Sequence, residues 1–148
     1  MEAAKPITSS ACHCINLRRA ANAVTGCYDK ALAGTGLTLN QYSMLSNLQK
    51  LEPCSVAELS RQMRLERTTL VRNLKAMYAA GWIYDEAPPG NRKSQMRLTQ
   101  AGAEKVREAK PLWKQAQEHL EAYLGKETLQ KLTETLLSLE RLPAMHQE

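Results

Sequence analysis

Between Ser55 and Gly81 two helical patterns follow one another with only Arg64-Leu65-Glu66 between them, and this closeness restricts the fold more than any other feature of the chain. The first opens on Ser55-Val56-Ala57-Glu58, where the serine hydroxyl can accept the N–H three residues on while the glutamate reaches back to the serine N–H. It extends to about Met63. The second carries Leu70, Leu74 and Met77 on one face and ends near Gly81. Two short helices joined by so tight a turn are the sequence form of a helix-turn-helix. The second, longer helix is then the recognition element, with Arg67, Thr68, Arg72, Asn73 and Lys75 on its polar face.

The flanking sequence extends this unit on both sides. A helix is expected from about Ser10 to Leu32, broken by Gly34 and Gly36. Thr38 and Gln41 form another capping pair, with Leu37 placed to staple onto Tyr42, and that helix stops before Pro53. After Gly81, Trp82-Ile83-Tyr84 and Gln95-Met96-Arg97-Leu98 bracket a Pro-Pro-Gly-Asn turn, which predicts a β-hairpin whose tip carries Arg92 and Lys93. Thr99 can cap a long helix through Leu124, kinked at Pro111, and Gly125 separates it from a last helix bearing Leu129, Leu132, Leu136, Leu137 and Leu139. The expected fold class is mainly α with a small β-hairpin wing: a winged helix-turn-helix in residues 37–98, flanked by dimerisation helices in 1–36 and 99–148. The terminal helices carry more apolar stripe than one winged helix can cover, so they bury it against each other or against a second copy; a homodimer fits a protein that reads two half-sites.

Charge points the same way. Residues 55–97 hold 8 basic and 4 acidic groups, whereas residues 98–148 hold 7 and 8, so most of the +5 net charge lies in the helix-turn-helix and hairpin. Such a block suits a phosphate-rich partner. Phe is absent and aromatics make up 5%, which favours a Leu/Ala-built helical interior over a β-sandwich. There is no run of 18 apolar residues and no apolar stretch in Met1 to Ala11, so neither a membrane span nor a signal peptide is expected. A cytoplasmic location follows, with Cys12, Cys14, Cys27 and Cys54 reduced by default.

From about Cys12 onward the chain resembles the MarR family of bacterial transcriptional regulators. The resemblance rests on Leu37-Thr38-x-x-Gln41-Tyr42, on Val56-x-x-Leu59-x-x-x-Met63, on Thr68-Thr69-Leu70-x-Arg72-x-Leu74, on Gly81-Trp82-Ile83 with a basic wing, and on Leu98-Thr99-x-x-Gly102. It implies a dimeric winged-helix repressor or activator on a palindromic, double-stranded operator. Its recognition helix would enter the major groove and a wing-tip arginine, here Arg92, the minor groove. Ser55, Arg67, Thr68, Thr69, Arg72, Asn73, Lys75, Arg92 and Lys93 are the implied DNA-contacting residues. Arg pairs with guanine, Asn with adenine, and Thr touches a thymine methyl. A narrow minor groove attracts an inserted guanidinium. The family commonly places an aspartate two residues before the wing arginine; Gly90 stands there in this chain, so that wing ion pair is not expected.

Cys12, His13 and Cys14 crowd the start of the first helix, and three readings of them are open. A hydroperoxide-sensing branch of the family has its reactive cysteine 24 residues before the threonine of the Leu-Thr pair, the spacing of Cys14 to Thr38, and places a tyrosine against that cysteine where Tyr28 falls. Two further tyrosines of that branch are Arg18 and Leu39 here. A metal site is disfavoured, because consecutive helical residues point about 100° apart. The third reading is burial of small apolar side chains in a dimer interface. Cys27 and Cys54 are read as structural. Trp113 and Arg18 are candidates for a cleft that takes a small aromatic acid, with helix packing as the plain alternative for Trp113; His119 and His146 are read as surface or interface residues. No cofactor is called for. No nucleophile elbow, phosphate loop or metal-helix motif is present, so an enzyme is not expected. A winged-helix module that binds protein instead of DNA is the competing class, favoured by Asp85 and Glu86 beside the wing.

Overall fold

The computed structural model describes residues 5–143. In chain order the elements are α1 (His13–Leu32), a 3-10 turn (Ala33–Thr35), α2 (Leu39–Leu51), α3 (Val56–Met63), α4 (Arg67–Ala79), β1 (Ile83–Asp85), β2 (Met96–Leu98), α5 (Gln100–Leu124) and α6 (Lys126–Leu139). The chain divides into two compact units, one ending at Trp113 and one beginning at Lys114. The first helix starts at His13 and not near Ser10. There the side chain of Asn16 turns back to pair with both backbone groups of Ser10, holding the preceding residues out of the helix.

Both capping boxes form. Thr38 Oγ1 accepts the N–H of Gln41 at 3.2 Å while Gln41 returns to the N–H of Thr38 at 2.9 Å. Ser55 and Glu58 do the same at 3.2 and 2.7 Å. Each pair satisfies two N–H groups that a helix start leaves open. The tight turn after α3 is closed by Arg64, which takes left-handed backbone at φ 51°, and by Ser60, which bonds both backbone groups of Leu65 through its own hydroxyl and carbonyl. Left-handed backbone costs a non-glycine residue about 1–2 kcal/mol.

One hydrophobic core fills the first unit. Leu32, Leu45, Leu48, Leu59, Leu70, Met77, Met96 and Ala109 are completely buried and belong to one cluster. Each such large side chain contributes about 1.5–3 kcal/mol. The hairpin pairs Ile83 with Leu98, Tyr84 with Arg97 and Asp85 with Met96, as the expected wing requires. Its second strand also bridges to Cys54, and Glu52 accepts the N–H of Leu98 at 2.8 Å. The wing is therefore rooted in the α2–α3 connection.

Thr99 joins hairpin to helix. Its N–H bonds the carbonyl of Trp82, its hydroxyl donates to Gly81 at 2.6 Å, and it caps α5 by accepting the N–H of Gly102. A Cβ at position 102 would collide with the carbonyl of Trp82, so only glycine allows this approach. Lys105 then reaches the carbonyl of Thr35 at 2.5 Å, tying α5 to the 3-10 turn that follows α1. The long helix runs through Pro111, whose missing N–H leaves the carbonyl of Arg107 without a helical donor. Gly125, at φ 79°, ends it. The last helix has no buried residue: Leu132, Leu136, Leu137 and Leu139 all stay at least 39% exposed.

Candidate nucleic-acid interface

With Leu70, Leu74 and Met77 turned into the core, α4 presents Arg67, Thr68, Thr69, Arg72 and Lys75 to solvent. Asn73 is half-buried and lines a small cavity with Thr38 and Asn40 at the start of α2. Glu66 is the N-cap of α4 without a side-chain bond, so its carboxylate serves the helix dipole alone. Arg92 and Lys93 are exposed on the wing.

Ser55 corrects one expectation. It is 4% exposed and its oxygen caps α3, so the side chain is occupied inside the fold instead of facing a phosphate. Its partner Glu58 is held below the ordinary carboxylate value by the Ser55 backbone and side-chain bonds, with Lys93 and Arg61 adding to the effect.

The wing has a brace that the sequence did not reveal. In place of an aspartate at Gly90, the carboxylate of Asp85 accepts the N–H groups of Ala87 and Gln95, both at 2.9 Å, across the hairpin neck. Glu86 pairs with Arg97 at 2.6 Å. Both acids beside the wing are thus committed to the wing itself.

A cleft of about 460 Å³ lies in the same unit, between α2 and α5. Tyr42 and Trp113 line it with ring centroids 5.9 Å apart, joined by Ser46, Asn47, Lys50 and Lys110. Burial pushes the Tyr42 hydroxyl above its ordinary pKa, opposed by its hydrogen bond with Ser46. Trp113 lines the cleft and also packs, partly buried, against the core. Arg18 does not line it: it projects from an exposed stretch of α1, and the cations here are Lys50 and Lys110. Nothing in the local pattern marks Lys110 or Tyr42, since the cleft forms only when the two helices pack.

Cys12, Cys14 and Cys27 are exposed, which removes the structural reading of Cys27 within one chain. Cys54 is buried, and burial with the charges of Glu58 and Glu52 pushes its thiol up to about 11, so it stays protonated and unreactive at neutral pH. Tyr28 is buried and lies 14 residues beyond Cys14 on the same helix, about 21 Å along its axis. Within one chain the two cannot touch; that pairing would need a second copy. Among the described residues no group of three His, Cys, Asp or Glu side chains is placed to hold a metal ion, and no helix is long and apolar enough to cross a membrane. His119 is exposed, and His146 lies outside the described residues.

The MarR family model matches residues 37–94. The transcriptional regulator MosR of M. tuberculosis, solved in complex with DNA, is 32% identical over 88% of this chain and 97% of its own, with a TM-score of 0.75. The chain belongs to the MarR family. It is accordingly a transcriptional regulator and not an enzyme. More distant MarR-like folds agree in architecture. The repressor CouR bound to p-coumaroyl-CoA is 23% identical, with 88% and 92% of the two chains covered and a TM-score of 0.78. A mutant MarR from E. coli complexed with operator DNA is 19% identical, covering 86% and 91%, with a TM-score of 0.74. No curated protein sequence matches the chain. The MarR motif Leu98-Thr99-x-x-Gly102 now has a physical account, since threonine stitches the hairpin to α5 and glycine admits the Trp82 carbonyl.

Proposed function

We propose that the chain is a dimeric, sequence-specific DNA-binding repressor acting on a palindromic operator in the bacterial cytoplasm. The observation that carries this reading is the exposed polar face of α4, with Arg67, Thr68, Thr69, Arg72 and Lys75, on a helix whose Leu70, Leu74 and Met77 close into a core. The wing adds Arg92 and Lys93 beside it in sequence, held by the Asp85 brace. Arg67, Lys75 and Lys93 neutralise phosphates, Arg72 reads bases, and Arg92 enters the minor groove. The relative MosR, solved with DNA, supports the same partner.

Dimerisation is supported by the terminal helices. Ile15, Leu17 and Val24 on α1 and Leu132, Leu136, Leu137 and Leu139 on α6 expose 38–46% of their surface. A second copy covering them places two α4 helices for half-sites one helical turn apart, roughly 34–36 Å. Release follows when an effector shifts that spacing, at a coupling of about 1–3 kcal/mol. The cleft suits an aromatic acid, its ring against Tyr42 and Trp113 and its carboxylate toward Lys50 or Lys110. A second route, thiol oxidation, is favoured by the exposure of Cys12 and Cys14 at the start of α1. The protein-binding alternative loses its support, because Asp85 and Glu86 are engaged within the wing.

The test is binding of the reduced protein to its own upstream intergenic DNA as a function of salt. Selective binding that falls steeply with salt is expected from the phosphate contacts. Affinity equal to that for random DNA at every salt concentration would sink the proposal. Adding a small aromatic acid or peroxide to the same assay separates the two release routes.

A further inference from the structure

Two large apolar residues of α4, Val71 and Tyr78, lie outside the buried core, and Val71 is the one flanked by the cations of the polar face. Val71 is 38% exposed although Leu70, Leu74 and Met77 already fill the buried side of the helix. It lies about 100° around the helix from Leu70, and Arg72 lies about 100° further on. Its neighbours one turn away are Arg67 and Thr68 before it and Leu74 and Lys75 after it, and of these only Leu74 is buried. An apolar group set among cations is poorly placed for an apolar protein partner and well placed for a polyanion. Valine is also among the weaker helix formers, so the site is not explained by helix stability.

We propose that Val71 reads sequence: its isopropyl group meets the C5-methyl of a thymine in each operator half-site. This rests on the DNA-binding reading of α4 and specifies one of its contacts. Thymine alone presents an apolar group in the major groove, and a small apolar side chain is its natural complement. In a helix the valine side chain is held almost entirely in one χ1 rotamer, so its two methyl groups arrive fixed in direction. Thr68 and Thr69 also carry methyl groups, but each is tied to a hydroxyl that seeks a polar partner. Val71 carries no polar group of its own. Arg72, next along the chain, then reads the neighbouring base pair.

The experiment uses the full-length protein and the tightest duplex it selects from a random library. Each thymine is replaced in turn by deoxyuridine, which removes the methyl group and leaves pairing intact. Wild-type protein should lose about fourfold in affinity at one thymine per half-site, and about fifteenfold when both symmetric positions are changed. Val71→Ala, at an exposed site where alanine favours the helix, should bind the thymine duplex about fifteenfold more weakly and show no further loss on uracil. The assignment is overturned if no thymine is methyl-sensitive in the wild type, or if the sensitivity survives in Val71→Ala. Failure to select any duplex would instead overturn the DNA-binding reading itself.

Discussion

Leu45, Leu48 and Leu59 are completely buried, whereas Leu136 and Leu137 on α6 keep 44% and 45% of their surface exposed. The residue type is the same and both groups sit on amphipathic helices. The difference is that α2, α3 and α4, with the hairpin and the first part of α5, supply one another's apolar partners within a single chain. No comparable set surrounds α6, all of whose residues but Leu129 are exposed. A helix of fourteen residues with no buried side chain is at the margin of stability in water. The winged helix therefore closes its apolar core within one chain, and α6 does not.

The sharpest way to break this contrast is Leu136→Asp. It places an unpaired charge on the surface proposed to meet a second copy, at roughly 3–5 kcal/mol of lost association. Sedimentation should show a monomer, and operator affinity should collapse while the winged-helix core still melts cooperatively. An unchanged dimer would mean that α6 faces solvent. Leu59→Ala should do the reverse, lowering folding stability by about 2–5 kcal/mol in urea melts. Any dimer that persists below the melt should keep its concentration dependence. Next in size is Arg72→Ala, expected to cost about 1–3 kcal/mol in operator binding and to relax preference at one base position, with oligomeric state unchanged in the same preparation.

The smallest effect concerns pH. Glu58 is held below the ordinary value of 4.5, so its ionised form stabilises the fold fully above that pH and the contribution fades as pH falls below it. Glu58→Ala should therefore destabilise the winged helix more at pH 7 than at pH 3 in denaturant titrations. An equal loss at both values would show that the carboxylate charge plays no part. Equal loss would also leave the capping box as a purely geometric device.

How much of this was legible depends on how far apart the partners lie in sequence. Thr38 with Gln41 and Ser55 with Glu58 are three residues apart, and both boxes form as their spacing requires. The hairpin and its exposed Arg92 and Lys93 follow from local pattern in the same way. What escaped were features made by distant contacts. Ser55 is a cap in either view, but its burial depends on packing that the local box does not specify. The cleft needs Tyr42 and Trp113 from helices brought together by the core, and Lys110 is recognisable only once they meet. Asp85 braces the hairpin neck by reaching Gln95 across the strands, a support made on the strand in a chain whose position 90 is glycine. The thiols illustrate the same point: Cys14 and Tyr28 have suggestive spacing, yet one helix keeps them far apart.

The approach of the Trp82 carbonyl to Gly102 has a consequence for the wing as a mechanical part. The hairpin is an arm anchored at one end, and Gly102 lies under its pivot. A methyl group inserted there would push the Trp82 carbonyl away and displace the root of the arm that carries Arg92. The aim of the outermost arginine is thus calibrated by a carbon atom that position 102 lacks.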